Sequence, residues 1–280
     1  MAESGSQQQQ LAAGEQPAPL EQLQLARARY QAGRLDEVVA MATRAVEHPA
    51  DDGLPENGQG PWLELLGRAW HDLGHPHQAA DAIEKASLVS PIADETRIVL
   101  ASCYAELLRI DLARDLYLQL AIRRQLPPEL MLQVAAGLEA IDSPQLAMQV
   151  CEWVTEKDET VAQAYYDMGF YSARSGQPLY LTEALTQRAL QLDPGNLHFR
   201  IGLVSLLIQL DRENEAIYAL GNFNEDDIER VTCASCLSRI GELLGRRGFF
   251  GLADDCEEKA AQLRAAKIES GSKHPEGARR

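Results

Sequence analysis

The sequence is poor in cysteine and has no long apolar run, and each shortage excludes a class of protein. Its five cysteines, an odd and scattered set, do not supply the paired framework of a small secreted domain, which favours a reducing cytoplasm. The longest nearly apolar stretch, IGLVSLLIQL at 201–210, is too short to span a bilayer. The first residues, MAESGSQQQQLAAG, contain neither the basic nor the apolar segment of a secretory signal. We therefore expect a cytoplasmic protein with no segment inserted in a membrane.

Basic residues are also scarce. The chain has 26 lysines and arginines against 42 aspartates and glutamates, which gives a formal net charge of −16. A surface of this sign repels the phosphates of nucleic acids and of anionic lipids. We therefore expect neither a nucleic acid nor an acidic membrane as the partner.

Short catalytic and phosphate-binding motifs are missing as well. The sequence contains no G-x-x-x-x-G-K-[ST], no H-E-x-x-H and no G-x-S-x-G. The acidic runs NEDDIE at 224–229 and DDCEEK at 254–259 are typical of solvated helix ends and faces. We expect a protein that is not an enzyme and that needs no cofactor.

What the sequence does contain is helical periodicity with a repeat of 34 residues. Apolar residues recur at the three- and four-residue spacing of helices, and no run alternates as a strand does. A step of 34 residues links four small residues and, one place before each, four large ones. The small set is Gly67, Ala101, Ala135 and Gly169, and the large set is Leu66, Leu100, Val134 and Met168. Small residues at a fixed period predict close crossings of two helices within each repeat.

The stretch from Leu63 to Pro91 resembles the tetratricopeptide repeat, a helix–turn–helix unit of 34 residues. Leu63 stands in the slot usually held by Trp, and Trp70 stands in the Tyr slot. The remaining matches are Leu66, Gly67, Ala79, Ile83 in the Phe slot, Ala86 and the closing Pro91. The resemblance implies an all-α fold, a right-handed superhelical α-solenoid of about seven helix–turn–helix repeats.

The same register places the repeats along nearly the whole chain. The predicted units are 19–52, 60–93, 94–127, 128–161, 162–196, 197–230 and 234–267. An insertion follows the first unit, and the unit 197–230 carries the weakest pattern. Residues 1–18 and 268–280 contain almost no large apolar groups and are predicted to be disordered tails.

Tetratricopeptide arrays bind peptides or proteins on a concave groove lined by the first helix of each repeat, so the resemblance implies a non-catalytic scaffold or adaptor. The second, fifth, ninth, twelfth and thirteenth places of a repeat would face the groove. The candidate partner-binding residues are Arg27, Tyr30, Arg68, His71, Leu132, Tyr166, Phe170, Arg174, Ile201 and Ile208. Four of them, Leu132, Tyr166, Phe170 and Ile201, would form a groove floor for an apolar or amphipathic peptide.

Each of these assignments has a plainer alternative. Arg27 and Arg68 would also occur as solvated charges, and apolar residues of weak repeats would be core if the register were shifted by one. The lysine and asparagine clamp that some family members use to hold the acidic tails of chaperones is absent. Its places hold Leu23 with Arg27, Glu64 with Arg68, and Ile98 with Ser102 in the first three repeats. A chaperone-tail adaptor is therefore not expected.

Two clusters resemble metal or redox sites. His71, His75 and His77 surround a turn that Gly74 and Pro76 already explain, and no cysteine stands close in sequence to complete a zinc site. Cys233 and Cys236 form a C-x-x-C, with Cys256 further on, but no second such pair and no thioredoxin-like strand pattern accompanies them. We expect the histidines to belong to a polar turn, Cys233 and Cys236 to be half-buried packing residues, and neither cluster to bind a metal. The alternative function is a regulatory or enzyme-associated module with a small-molecule pocket or a cysteine-based redox or zinc site.

Overall fold

The computed structural model describes residues 19–49 and 58–271, with side chains to residue 267. The predicted tail 1–18 and most of the insertion after the first repeat lie outside the described residues, as do residues 272–280. The second predicted tail begins too early, because the last helix continues to Gly271.

The described residues contain fifteen α-helices and no strand, which confirms the all-α fold. In the first half these are α1 (Pro19–Gln31), α2 (Leu35–Glu47), α3 (Gly60–Asp72), α4 (Pro76–Val89), α5 (Asp94–Glu106), α6 (Ile110–Ile122) and α7 (Pro128–Ala140). In the second half they are α8 (Pro144–Lys157), α9 (Ala162–Arg174), α10 (Leu179–Leu192), α11 (Leu197–Gln209), α12 (Glu213–Leu220), α13 (Glu225–Arg230), α14 (Ala234–Arg246) and α15 (Phe250–Gly271). Within the described ranges no helix is long and apolar enough to cross a membrane.

Each predicted repeat begins at the first residue of a helix, and a second helix follows after a short turn. The unit 197–230 departs from this plan. Its second helix, α12, has eight residues and ends at Leu220, and the next residue, Gly221, has a left-handed φ of +62°. The chain then starts the extra helix α13, where the Asn224 side chain accepts a hydrogen bond from the Asp227 N–H.

The chain divides into two compact units, of which the first ends at Ile141 and the second begins at Asp142. In the first unit, one core cluster joins α1 to α4 around Trp62, Leu65 and Leu66. In the second unit, the core joins α11 and α12 to α14 and α15, with Leu237 and Ile240 at its centre. Each core therefore spans consecutive helix pairs, as the packing of neighbouring repeats requires.

The small residues of the 34-residue period are buried, and the two glycines among them lie at close helix crossings. Gly67, Ala101, Ala135 and Gly169 are all buried. A Cβ on Gly67 would lie 2.4 Å from Ile83 Cγ1 and 3.1 Å from the Ala79 carbonyl oxygen on α4. A Cβ on Gly169 would lie 3.2 Å from the Thr182 carbonyl oxygen on α10. The prediction of close crossings is confirmed at Gly67 and Gly169, and Ala101 and Ala135 are buried, as such a crossing requires.

The turn between the two helices of a repeat has a left-handed residue, and in one repeat that residue is leucine. Gly74 and Gly176 adopt φ values of +76° and +73°, whereas Leu108, at the equivalent place, adopts +58°. Its side chain is 84% exposed and gains little from packing. A side chain with a Cβ is strained in this conformation by about 1–2 kcal/mol.

Leu108→Gly is therefore expected to raise the free energy of unfolding by about 0.5–1 kcal/mol. The relief of strain exceeds the extra entropy that glycine gives to the unfolded chain. Urea denaturation followed by circular dichroism measures the change. Leu112→Gly is the matched control, because Leu112 lies inside α6 and is 50% exposed, and it should be destabilised by about 1 kcal/mol. A loss of stability at both positions would contradict the strain at Leu108.

Candidate functional site

In the first unit, the structure brings three of the predicted residues into one polar cluster. The Tyr30 hydroxyl on α1 donates a hydrogen bond to the Asp72 carboxylate on α3. The Arg68 guanidinium lies 5.0 Å from the centre of the Tyr30 ring, a cation–π geometry. Burial and the hydrogen bond to Asp72 raise the pKa of Tyr30. Tyr30 and Arg68 thus connect α1 to α3, and this structural role is separate from any contact with a partner.

His71 extends this polar cluster toward the next repeat. Its Nδ1 lies 3.2 Å from Asp72 Oδ1, and its Nε2 lies 3.3 Å from Ser102 Oγ on α5. Arg27, the fourth candidate in this unit, is exposed on α1. The other two histidines of the turn are placed differently: the ring of His75 is T-shaped against Trp70, and His77 is exposed. No group of three or more potential metal ligands is found among the described residues.

In the second unit, three predicted residues form a stripe on α9. Tyr166, Phe170 and Arg174 are spaced by four residues and so lie on one face of the helix. Phe170 is 50% exposed. Arg174 is exposed, and its guanidinium lies 3.4 Å from Asp142 Oδ1. The stripe therefore presents an aromatic ring and, one turn further along, a solvated cation.

Tyr166 is held in place by the neighbouring helix α11. Its ring stacks on Phe199 at a centroid distance of 4.8 Å and lies 4.7 Å from the ring of His198. Gly202 leaves room for it, because a Cβ there would lie 2.5 Å from Tyr166 Oη. His198 is exposed beside Tyr166 and was not among the predicted residues. It occupies the second place of its repeat, so the position rule contained the signal.

Ile201 does not lie on the open groove floor that was predicted to include it, and Ile208, which was predicted to face the groove, packs nearby. Ile201 is 3% exposed and belongs to the core cluster around Leu237 and Ile240. Ile208 is partly buried and packs against the same cluster. Helix α11 is apolar on nearly all sides, so the spacing of its residues cannot distinguish groove from core. Leu132 lies on α7, in the other unit, and is half-buried.

Asp167 follows Tyr166 on α9 and is the carboxylate most affected by burial. Burial raises its pKa from 3.8 to about 6, although the hydrogen bond that Gln163 Nε2 donates to it, at 2.7 Å, acts in the opposite direction. Because the folded state favours the protonated form, Asp167 stabilises the fold below about pH 4 and this contribution is lost as the pH rises through 6.

Asp167→Asn is therefore expected to raise the free energy of unfolding by about 1–2 kcal/mol at pH 7.5, a value discounted for the partial exposure of the group. Asparagine keeps the acceptor for Gln163 and carries no charge. Urea midpoints measured between about pH 3.5 and pH 8 should converge for the two proteins at the acidic end. Asp81→Asn, at an exposed position on α4, serves as the control and should differ from the wild type by no more than about 0.5 kcal/mol, the contribution of its solvated ion pair with Lys85. An Asp167→Asn gain that is the same at every pH would contradict the proposed desolvation.

The five cysteines fall into two groups. Cys103, Cys151 and Cys256 are buried, and burial raises the pKa of Cys103 and Cys256 to about 12. The pKa of Cys151, which is also buried, is raised by burial as well. Cys233 and Cys236 are half-buried and joined by a disulfide, so the expectation that they act only as packing residues is corrected.

An open cleft of about 330 Å³ lies between α13 and α15. Five carboxylates line it, together with Lys259, which pairs with one of them, Glu229. The carboxylates are Glu225, Asp226, Glu229, Asp255 and Glu258. Small-molecule sites are usually enclosed and mostly apolar, so this cleft does not favour the alternative of a small-molecule pocket.

Comparison with known proteins adds a fold to this geometry. No protein-family model matches the chain, and no curated protein matches it. A tetratricopeptide repeat protein from Parabacteroides merdae is similar in structure, with a TM-score of 0.62 and 16% identity over 88% of this chain and 93% of that one. The chain has the tetratricopeptide repeat fold.

Two further structures with tetratricopeptide repeats agree. A putative kinesin light chain from Podospora anserina with nearly identical repeats has a TM-score of 0.53 and 18% identity, over 64% of this chain and 96% of that one. YrrB, a tetratricopeptide repeat protein with an unusual peptide-binding site, has a TM-score of 0.50 and 16% identity, over 69% of this chain and 92% of that one. At these identities the likeness concerns the tetratricopeptide fold alone.

Proposed function

We propose that this tetratricopeptide protein is a non-catalytic scaffold that binds a peptide or a protein segment through the first helices of its repeats. The observation that carries the proposal is Phe170, an aromatic ring left half-exposed on a helix whose other aromatic residues are buried or partly buried. Large exposed apolar side chains within a defined surface mark interaction sites more often than isolated ones do. YrrB, which shares the fold, is named for a peptide-binding site, and this supports the same class of ligand here.

The surface around Phe170 has the properties of a binding anchor. Tyr166, one turn earlier, is fixed by its stacking on Phe199, so little conformational entropy is lost when a ligand covers it. His198 adds an exposed polar ring at its edge. Rigid aromatic residues with a polar rim are the groups that contribute most of the affinity in interfaces.

The stripe also indicates the chemistry of the ligand. An apolar side chain would cover Phe170, and an acidic group one turn away would compete with Asp142 for Arg174. An amphipathic segment with anchors a helical turn apart meets both requirements. The net charge of −16 disfavours strongly acidic ligands, so a single carboxylate near Arg174 is the better match.

Phe170→Ala is expected to weaken binding of such a peptide about thirtyfold, or about 2 kcal/mol. The peptide is first selected from a displayed random library against the whole protein and is then titrated by calorimetry. Arg174→Ala should cost less, and its effect should fade as salt is added, because the charge is solvated.

Tyr180→Ala is the matched control, since Tyr180 is an aromatic residue on α10 that is 73% exposed. It should leave the affinity unchanged. Equal losses at Phe170 and Tyr180, or no loss at Phe170, would place the binding surface elsewhere.

The alternative function, a regulatory or enzyme-associated module, is favoured by one observation, the bonded pair Cys233 and Cys236. It is a different kind of site from the α9 stripe and has its own test.

A further inference from the structure

The Cys233–Cys236 pair differs from the other three cysteines in its accessibility. Cys103, Cys151 and Cys256 are buried, and burial raises their pKa values, so at neutral pH they remain thiols enclosed by the core. The thiolate is the reactive form, and an inaccessible thiol does not exchange. Cys233 and Cys236 are half-buried, at the entry to the last repeat. The chain therefore contains one accessible pair of cysteines, and its three buried cysteines serve as internal controls.

The local geometry favours reactivity at this pair. Cys233 is the N-cap of α14, and its Sγ accepts a hydrogen bond from the Cys236 N–H at 3.2 Å. Sγ also lies 3.3 Å from the Ser235 hydroxyl. The N-terminus of a helix carries a partial positive charge, which together with these donors stabilises an anionic sulfur. Cys233 is thus the sulfur better suited to exist as a thiolate.

Thiol–disulfide exchange within the pair also requires that the two sulfur atoms be close enough to bond. The two Cα atoms are 5.3 Å apart, within the range that a disulfide spans, and the structure joins them. The pair is separated by two residues in the first turn of α14, so closing the bond needs no rearrangement of other elements. Both residues also pack against the core of the second unit, which holds the turn in position.

We propose that Cys233 and Cys236 form a reversible thiol–disulfide exchange site whose co-reactant is the disulfide of a small thiol. The Cys233 thiolate attacks one sulfur of the small disulfide, whose S–S bond breaks and releases one small thiolate. The Cys236 thiolate then attacks Cys233 in the mixed disulfide and releases the second. The protein dithiol loses two electrons, the small disulfide gains them, and the two thiol protons end on the two released thiols. Reduction runs the same steps backwards.

The test uses the whole protein in buffers that differ in the ratio of reduced to oxidised glutathione. After quenching with acid, free thiols are alkylated and counted by mass spectrometry. We expect Cys233 and Cys236 to lose alkylation together as the buffer becomes oxidising and to regain it on return to reduced glutathione. Cys103, Cys151 and Cys256 should react with the small disulfide only after denaturant is added.

Three results would overturn the proposal. The first is that Cys233 and Cys236 are alkylated in every buffer while the protein is folded. The second is that the buried cysteines exchange as fast as the pair, and the third is that native mass spectrometry finds one zinc ion bound to the two thiols, which would make the pair a metal ligand.

Single variants test the order of attack. Cys236→Ser and Cys233→Ser each leave one accessible thiol. It should form a stable mixed disulfide with one glutathione, because no second accessible thiol resolves it. The adduct should form several-fold faster on Cys233, where serine at 236 keeps the backbone donor, than on Cys236. Equal rates at the two positions, in variants whose circular dichroism matches the wild type, would refute the assignment of Cys233 as the attacking sulfur.

Discussion

Gly67→Leu is expected to lower the free energy of unfolding by about 3 kcal/mol. The position has no room, because a Cβ alone would lie 2.4 Å from Ile83 Cγ1 and 3.1 Å from the backbone oxygen of Ala79. Ile83 can change its rotamer, but the carbonyl belongs to α4, so the two helices of the repeat would have to separate. The better helix propensity of leucine offsets only about 0.8–1 kcal/mol of this cost. The shift is measured as a change of urea midpoint.

A pair of alanine variants provides the control for Gly67. Gly67→Ala should destabilise by about 1 kcal/mol, since the Cβ contact remains. Gly245→Ala on α14 should stabilise slightly, because its Cβ would be 3.8 Å from Ala253 Cβ, an ordinary contact. In the double variant Gly67→Leu with Ile83→Ala, the new side chain would fill the space that isoleucine leaves. The losses in free energy of unfolding for the two single variants, Gly67→Leu and Ile83→Ala, should therefore sum to more than the loss for the double variant. Full additivity would contradict a direct clash between these residues.

The close crossing at Gly67 is the kind of feature that the sequence predicts well. A position that must be small carries a small residue in successive repeats. The 34-residue period of such residues predicts the helix pairs and where they begin. Each crossing is a local contact between consecutive helices, so it follows from spacing alone. The same logic predicted the stripe of Tyr166, Phe170 and Arg174, since residues four apart on one helix share a face.

Prediction from spacing was less successful where a helix has no polar face. Helix α11 is buried at eight positions, and its sequence LHFRIGLVSLLIQ is apolar on nearly all sides. The register therefore assigned Ile201 to the groove, whereas the structure packs it against Leu237 and Ile240. The short helix α13 was missed for a related reason. It replaces the second half of a helix in a weak repeat, and no period marks an insertion.

Contacts between side chains of neighbouring repeats could not be predicted from the sequence either. The 34-residue register placed Tyr30, Arg68 and His71 on inner faces, but their mutual contacts through Asp72 and Ser102 depend on rotamers. The sequence contains the C-x-x-C motif, but it does not show that the two cysteines are bonded at the start of α14. Spacing in the sequence predicts which residues can meet, and local backbone geometry decides whether they do.

Phe199→Ala is expected to lower the free energy of unfolding by about 4 kcal/mol. Phe199 is among the largest fully buried side chains and is 2% exposed, so its removal leaves a cavity that the surrounding helices fill only in part. Its ring also stacks on Tyr166, which links α11 to the α9 stripe. Urea denaturation measures the loss of stability, and peptide titration measures the consequence for binding. Because Tyr166 loses its support, the affinity should fall even where the variant remains folded.

Phe249→Ala and Phe199→Leu are the two controls for this prediction. Phe249 is 52% exposed, and its replacement should cost less than about 1 kcal/mol. Leucine at 199 keeps most of the buried apolar volume, so its cost in stability should stay below about 1.5 kcal/mol. It nevertheless removes the aromatic stacking on Tyr166, and affinity for the peptide should drop more than stability does. If Phe199→Leu binds the peptide as the wild type does, the orientation of Tyr166 contributes nothing to recognition, and Phe170 acts without it.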